Sequence, residues 1–96
     1  MATTLIMEKG LKEAIRAKSD ETGVPLHVII ALGLDLGDIP GDDPGGNDVF
    51  MNLAMPPKLM DTIRERIAHR ERSAFYRRVL SAWVRGDLEL RLCCNS

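Results

Sequence analysis

The feature that most constrains this chain is a change of period at Pro56-Pro57. Before it the residues alternate. Met51, Leu53 and Met55 fall on one side of an extended chain and Phe50, Asn52 and Ala54 on the other, the period of two that marks a half-buried strand. After it, Leu59/Met60, Ile63 and Ile67 recur at helical spacing. The prolines stop the strand and suit a helix start, because proline is pre-shaped for the first helical turn. Ser73, a good N-cap, then opens a second apolar helix face through Phe75, Tyr76, Val79, Leu80 and Trp83, which Arg85-Gly86 ends. The aromatics on that face read as core, and Met51, Met55 and Met60 as adaptable core fillers. A strand, a helix, a tight turn and a helix between Val49 and Gly86 bury too little for a core of their own, since chains below roughly 40 residues usually need outside support. The unit has to share its core with a second copy.

A second copy is legible upstream. Ala2 to Met7 is β-branched and apolar enough for a short strand. Leu11, Ala14, Ile15 and Lys18 follow at helical spacing, and Gly23 stands where a helix C-terminus wants glycine. After Val24-Pro25, Leu26 to Leu36 is a nearly all-apolar helix whose Gly33 reads as a point of close helix contact. Met7, Leu11, Ile15 and Arg16 each precede Met55, Leu59, Ile63 and Arg64 by 48 positions, and Ile29, Ile30 and Leu34 precede Phe75, Tyr76 and Leu80 by 46. A turn two residues longer in the first copy reconciles the offsets. The alternative is an unrelated N-terminal helical hairpin that packs on the second unit. The organisation is therefore residues 1–34 as a divergent acidic unit, 35–48 as a linker, 49–86 as a basic unit, and 87–96 as a tail. The linker, rich in Gly, Pro and Asp, is expected to supply no packed core. It also lacks the D-x-[DN]-x-[DN]-G pattern of a calcium loop. Extended, it would reach about 45 Å, enough for the second unit to fold back on the first. In the tail, Leu88, Leu90 and Leu92 alternate, which suits an extra edge strand as well as a ragged extension.

The stretch Asn52-Leu53-Ala54-Met55-Pro56 running into one helix, and Ser73-Ala74-Phe75-Tyr76-Arg77-Arg78-Val79-Leu80 opening the next, resembles the Arc-type ribbon-helix-helix family of DNA-binding repressors and antitoxins. Where that family commonly carries a Gly-x-Ser turn, this chain reads Arg70-Glu71-Arg72-Ser73, and the first copy has Gly23-Val24-Pro25. The resemblance implies a mainly α fold with a short β-ribbon, β-α-α twice, as a single-chain pseudo-dimer or an intertwined dimer. It also implies that the ribbon enters the major groove of double-stranded DNA.

With Met51, Leu53 and Met55 in the core, the groove face would carry Phe50, Asn52 and Ala54 from one strand and Ala2, Thr4 and Ile6 from the other. Asn52 can pair bidentately with adenine, Thr4 can bond either base type, and Ala54 and Ile6 suit a thymine methyl. No Arg or Lys stands on either strand's groove face. Phosphate anchoring falls to the backbone N–H groups at Ser73 and Ala74, at a positive helix end, with Arg70, Arg72, Arg77 and Arg78 around them. The competing reading makes these arginines a solvated face that pairs with the acidic half. Residues 1–48 hold four Lys/Arg against nine Asp/Glu, and residues 49–96 hold nine against five. That asymmetry, inside a net charge of −1, places any phosphate contacts in the second half.

Enzymatic constellations are missing: there is no Gly-rich phosphate loop, no nucleophile elbow and no metal-spaced His/Cys set. His27 reads as structural and His69 as solvated. Cys93 and Cys94, adjacent at the tail, suit reduced thiols better than a metal site. No cofactor, membrane span or signal peptide is expected. The expectation is a non-enzymatic, cytoplasmic, repressor-like transcriptional regulator that pairs further on DNA, or else an antitoxin-like module that acts on a protein partner.

Overall fold

The computed structural model describes residues 2–37, 39 and 41–88. Their order is β1 (Ala2–Met7), α1 (Lys9–Thr22), α2 (Leu26–Leu36), β2 (Val49–Ala54), α3 (Pro57–Arg66), a 3₁₀ turn (His69–Glu71) and α4 (Arg72–Arg85). The fold is thus mainly helical with one two-stranded antiparallel sheet, in the order β-α-α-β-α-α.

The element ends follow from local chemistry. Pro56 is extended and Pro57 occupies the first turn of α3, where its missing N–H costs nothing. Gly23 and Gly86 take left-handed conformations, with φ of 71° and 85°, which a side chain would resist. After α4, the Gly86 N–H donates to the Trp83 carbonyl and the Asp87 N–H to that of Ala82, a Schellman-type end. Leu88 then folds into the core. The alternation expected from 89 onward lies outside the described residues.

The ribbon pairs Ala2 with Ala54, Thr4 with Asn52, Leu5 with Met51, Ile6 with Phe50 and Met7 with Val49. Leu5, Met7, Met51 and Leu53 are buried on its inner face, and Met55 just beyond it. The expected core positions of β2 are thus buried, and Phe50, Asn52 and Ala54 point outward. Above the inner face, α2 crosses α4, α2 packs on β2 and α4 packs on β1. The second helix of each half therefore covers the strand of the other half. Ile15, Ile29 and Ile30 from the first half join Ile63, Val79 and Leu80 from the second in one continuous core. Each such side chain, fully buried, contributes about 1.5–3 kcal/mol, and neither half could keep that contribution alone.

Gly33 lies where α2 meets α4. A Cβ there would come within 2.6 Å of Val79 Cγ2 and 2.9 Å of Cγ1. The expected close helix contact is therefore present, against a β-branched partner with little rotamer freedom. The linker departs from expectation in one respect. Ile39 is only 4% exposed and joins the core, with its Cδ1 3.3 Å from the same built Cβ. The loop is polar on average, but one isoleucine is enough to dock it into the notch that the glycine leaves.

Gly33→Ala should destabilise the fold by about 1–3 kcal/mol, because overpacking here outweighs the gain in helix propensity. The double variant Gly33→Ala/Val79→Ala should be less destabilised than the sum of the two single variants. Urea denaturation of all four proteins checks this; strictly additive losses would mean that the two positions do not collide.

Candidate nucleic-acid interface

The outer face of the ribbon carries the cross-strand pairs Thr4–Asn52 and Ile6–Phe50, and the first of them is polar. The Thr4 hydroxyl donates to Asn52 Oδ1 at 3.2 Å. That bond uses one lone pair of the amide oxygen and fixes the orientation of the amide. Asn52 is exposed, and an amide oxygen with two N–H donors is the set that adenine matches. Beside this pair, Phe50 is 64% exposed opposite a half-buried Ile6. Ala54 is exposed at the far end. The strands therefore bring Thr4, Ile6, Phe50, Asn52 and Ala54 onto one surface.

A cation absent from the expected set adjoins this surface. The Lys12 ammonium, on the first turns of α1, donates to the Phe50 carbonyl at 2.8 Å. No sequence signal marks it, because the acceptor is a backbone oxygen on the opposite strand.

The expected phosphate cluster is arranged differently. Arg77 is turned inward, with its side chain 13% exposed. Its Nε and Nη2 meet the two carboxylate oxygens of Asp43 at 2.7 and 2.8 Å, and its Nη1 donates to the Ile6 carbonyl at 3.1 Å. Arg78 donates to the carbonyls of Ile39 and Gly41 at 2.8 and 3.3 Å. Both arginines thus fasten the linker to α4. The cause is that a desolvated guanidinium is best satisfied by a planar bidentate carboxylate, and the acidic linker supplies one. Pairing with the acidic half was the competing reading of these arginines, and for Arg77 it holds.

The start of α4 also differs from expectation. Ser73 is not the N-cap: the helix begins at Arg72, directly from the 3₁₀ turn, with no side-chain cap. The chain is extended at Ile67 and Ala68, and Glu71 and Arg72 are already in the right-handed helical region. The N–H groups of Glu71 and Arg72 already bond the carbonyls of Ala68 and His69. The Arg72 guanidinium bonds the Ile67 carbonyl and lies 3.3 Å from His69 Nδ1. Arg70 and Ser73 are exposed, and Ala74 is half-buried.

The salt bridge has an electrostatic signature. The hydrogen bonds from Arg77 hold the Asp43 carboxyl below its ordinary value of 3.8, against an opposing push from burial, and a bond from the Gly45 N–H adds to the lowering. The same pairing raises Arg77. The Tyr76 hydroxyl is pushed up, chiefly by burial.

Among the described residues, no cluster of His, Cys, Asp and Glu is arranged to hold a metal ion, and no helix is long and apolar enough to cross a membrane. Comparison with protein-family models, with curated proteins and with solved structures finds no match.

Asp43→Asn should lower stability by about 1–2 kcal/mol at pH 7, as expected for a partly exposed charge-assisted pair. Because the folded carboxyl titrates below the unfolded one, its contribution is complete above the unfolded value. It fades as pH falls through the folded value. The gap between wild type and variant, read from thermal melts, should therefore be constant from pH 6 to 8 and close below about pH 4. A gap that persists unchanged at low pH would show that the ion pair is not its source.

Proposed function

We propose that this chain is a small, sequence-specific DNA-binding transcriptional regulator of ribbon-helix-helix type, repressor-like, in which one polypeptide supplies both strands of the ribbon. The observation that carries the reading is the strand register. Thr4 faces Asn52, and these residues are 48 positions apart, the same offset that relates Met7 to Met55, Leu11 to Leu59 and Ile15 to Ile63. A two-fold axis relating duplicated halves has to pass between equivalent residues, and Thr4 and Asn52 meet that condition. Gly33 and Val79, 46 positions apart, meet it again where the second helices cross. Burial follows the same relation: Met7 and Met55 are buried, Leu11 and Leu59 half-buried, Ile15 and Ile63 buried. These correspondences favour a tandem pseudo-dimer over an unrelated hairpin packed on one unit.

In the groove, the oriented Asn52 amide would read adenine, while Phe50, Ile6 and Ala54 would lie against thymine methyls. Because Thr4 and Ile6 have Asn52 and Ala54 as their counterparts 48 positions on, the two strands would present different side chains to the groove, and the preferred half-site is asymmetric. Phosphate contacts would come from Lys12 and from Arg70 and Ser73 at the exposed start of α4. A second reading, a protein-binding module of the same architecture, is favoured by one observation: the exposed Phe50 beside Ile6, on a ribbon face whose own side chains Thr4, Ile6, Phe50, Asn52 and Ala54 are all uncharged.

Fluorescence anisotropy with mixed genomic fragments at low and moderate salt separates the two. The regulator should bind, lose affinity with salt, and show a salt slope shallower by about 1 in Lys12→Ala. On a selected site, Asn52→Ala should cost about 1–3 kcal/mol. Absence of binding at low salt would sink the DNA reading. Co-purification of a stoichiometric partner that Phe50→Ser abolishes would establish the second.

A further inference from the structure

The proposed two-fold relation is broken where a buried tryptophan in one half has a glycine as its counterpart. Near the C-terminus of α4, Trp83 is 3% exposed. The Lys18 ammonium lies 5.2 Å from its ring centroid and donates to its carbonyl, and α1 packs closely on α4. Under the offsets of 48 and 46, Lys18 corresponds to Arg66 and Trp83 to Gly37. Between α2 and α3, the pair equivalent to α4 and α1, no such close packing exists. A groove of about 650 Å³ lies there, lined by Gly33, Leu34, Gly37, Arg66, Phe75 and Arg78 among others.

This groove has the chemistry of the filled site without its ring. Leu34 and Phe75 provide apolar walls, and Arg66 is an exposed cation in the position from which Lys18 covers the indole. Arg66 has no ion pair among the described residues, whereas Arg78 is held by the linker carbonyls. The volume falls in the range of small-molecule sites. We propose that the groove binds a planar aromatic monocarboxylate of indole size, with its ring between Leu34 and Phe75 and its carboxylate against Arg66. Guanidinium groups favour both parts of such a ligand, the π-face and the carboxylate. Glu71, also at the lining, opposes a second negative charge. The inference rests on the duplicated architecture but not on DNA binding. A failed DNA titration leaves it standing, and its own failure leaves the DNA reading intact.

The test is an amide ¹⁵N–¹H titration of the full chain with indole-3-acetate to about 10 mM, a range suited to a ligand of this size. Saturable shifts should appear at Gly33, Gly37, Ala68 and Ala74. Arg66→Gln should weaken binding about tenfold, and uncharged indole should bind the wild type more weakly by a similar factor. Ala74→Leu, which fills the groove, should abolish binding while the rest of the spectrum stays native. If that variant does not fold, Arg66→Gln decides alone. Absence of saturable shifts at these amides, or unchanged affinity in a folded variant, would overturn the proposal.

Discussion

The contact of Gly33 with Val79 governs how the rest of the chain is arranged. Because the glycine presents no Cβ, α2 and α4 approach until the valine methyls rest on the α2 backbone. That approach lets each helix reach the strand of the opposite half, so Leu5, Met7, Met51 and Leu53 are sealed from above. The ribbon is too short to persist by itself, since an isolated two-stranded hairpin is marginal in water. Its register and its outward face are therefore consequences of the helix crossing that covers its inner face. Ile39 completes the arrangement by filling the notch beside the same glycine.

The linker is consequently a structural part rather than a tether. An acidic, glycine-rich loop would ordinarily be left in water, but here it satisfies two arginines of α4 that face the protein. Arg77 bridges Asp43 and the Ile6 carbonyl, joining the loop, α4 and the end of β1. A change in the loop can thus reach the ribbon through a single side chain. It also means that the positive charge of the second half overstates what is available to a polyanion, because two of its arginines are already engaged.

Much of the fold was legible because period and punctuation agree. The proline pair, the glycines after α1 and α4, and the alternation through Met51, Leu53 and Met55 each fix one element and its facing. The site was only half legible. Which side chains of the ribbon point outward follows from a period of two, and those residues do share a face. Where an arginine points does not follow from any period: Arg77 and Arg78 sit on a helix whose neighbours are a distant loop and strand. The charge asymmetry showed that acidic and basic segments would attract, but not that Asp43 would be the partner. The Ser73 cap failed for a local reason: the backbone is extended at Ile67 and Ala68, and the 3₁₀ turn from His69 runs straight into α4, so Ser73 already lies inside the helix. Lys12 was invisible because it bonds a backbone carbonyl.

The engaged arginines bear on how the proposed regulator would divide affinity from specificity. A reader with many free cations binds any duplex tightly and discriminates by a small margin. This chain would bring few cations and a groove face made of one oriented amide, one hydroxyl and apolar side chains. Its non-specific affinity would be low, and its discrimination would depend on a central Asn52–Thr4 pair whose geometry is set by the helix crossing. A ribbon of this kind depends more than usual on the rigidity beneath it, because an amide that wanders loses both bonds to its base at once. The same rigidity has a gap at the Gly37 groove, on the side of the molecule where α2 lacks the packing that α4 has. A ring seated there would brace α2 against α3 as Trp83 braces α4 against α1, and the ribbon that α2 supports would be held more firmly.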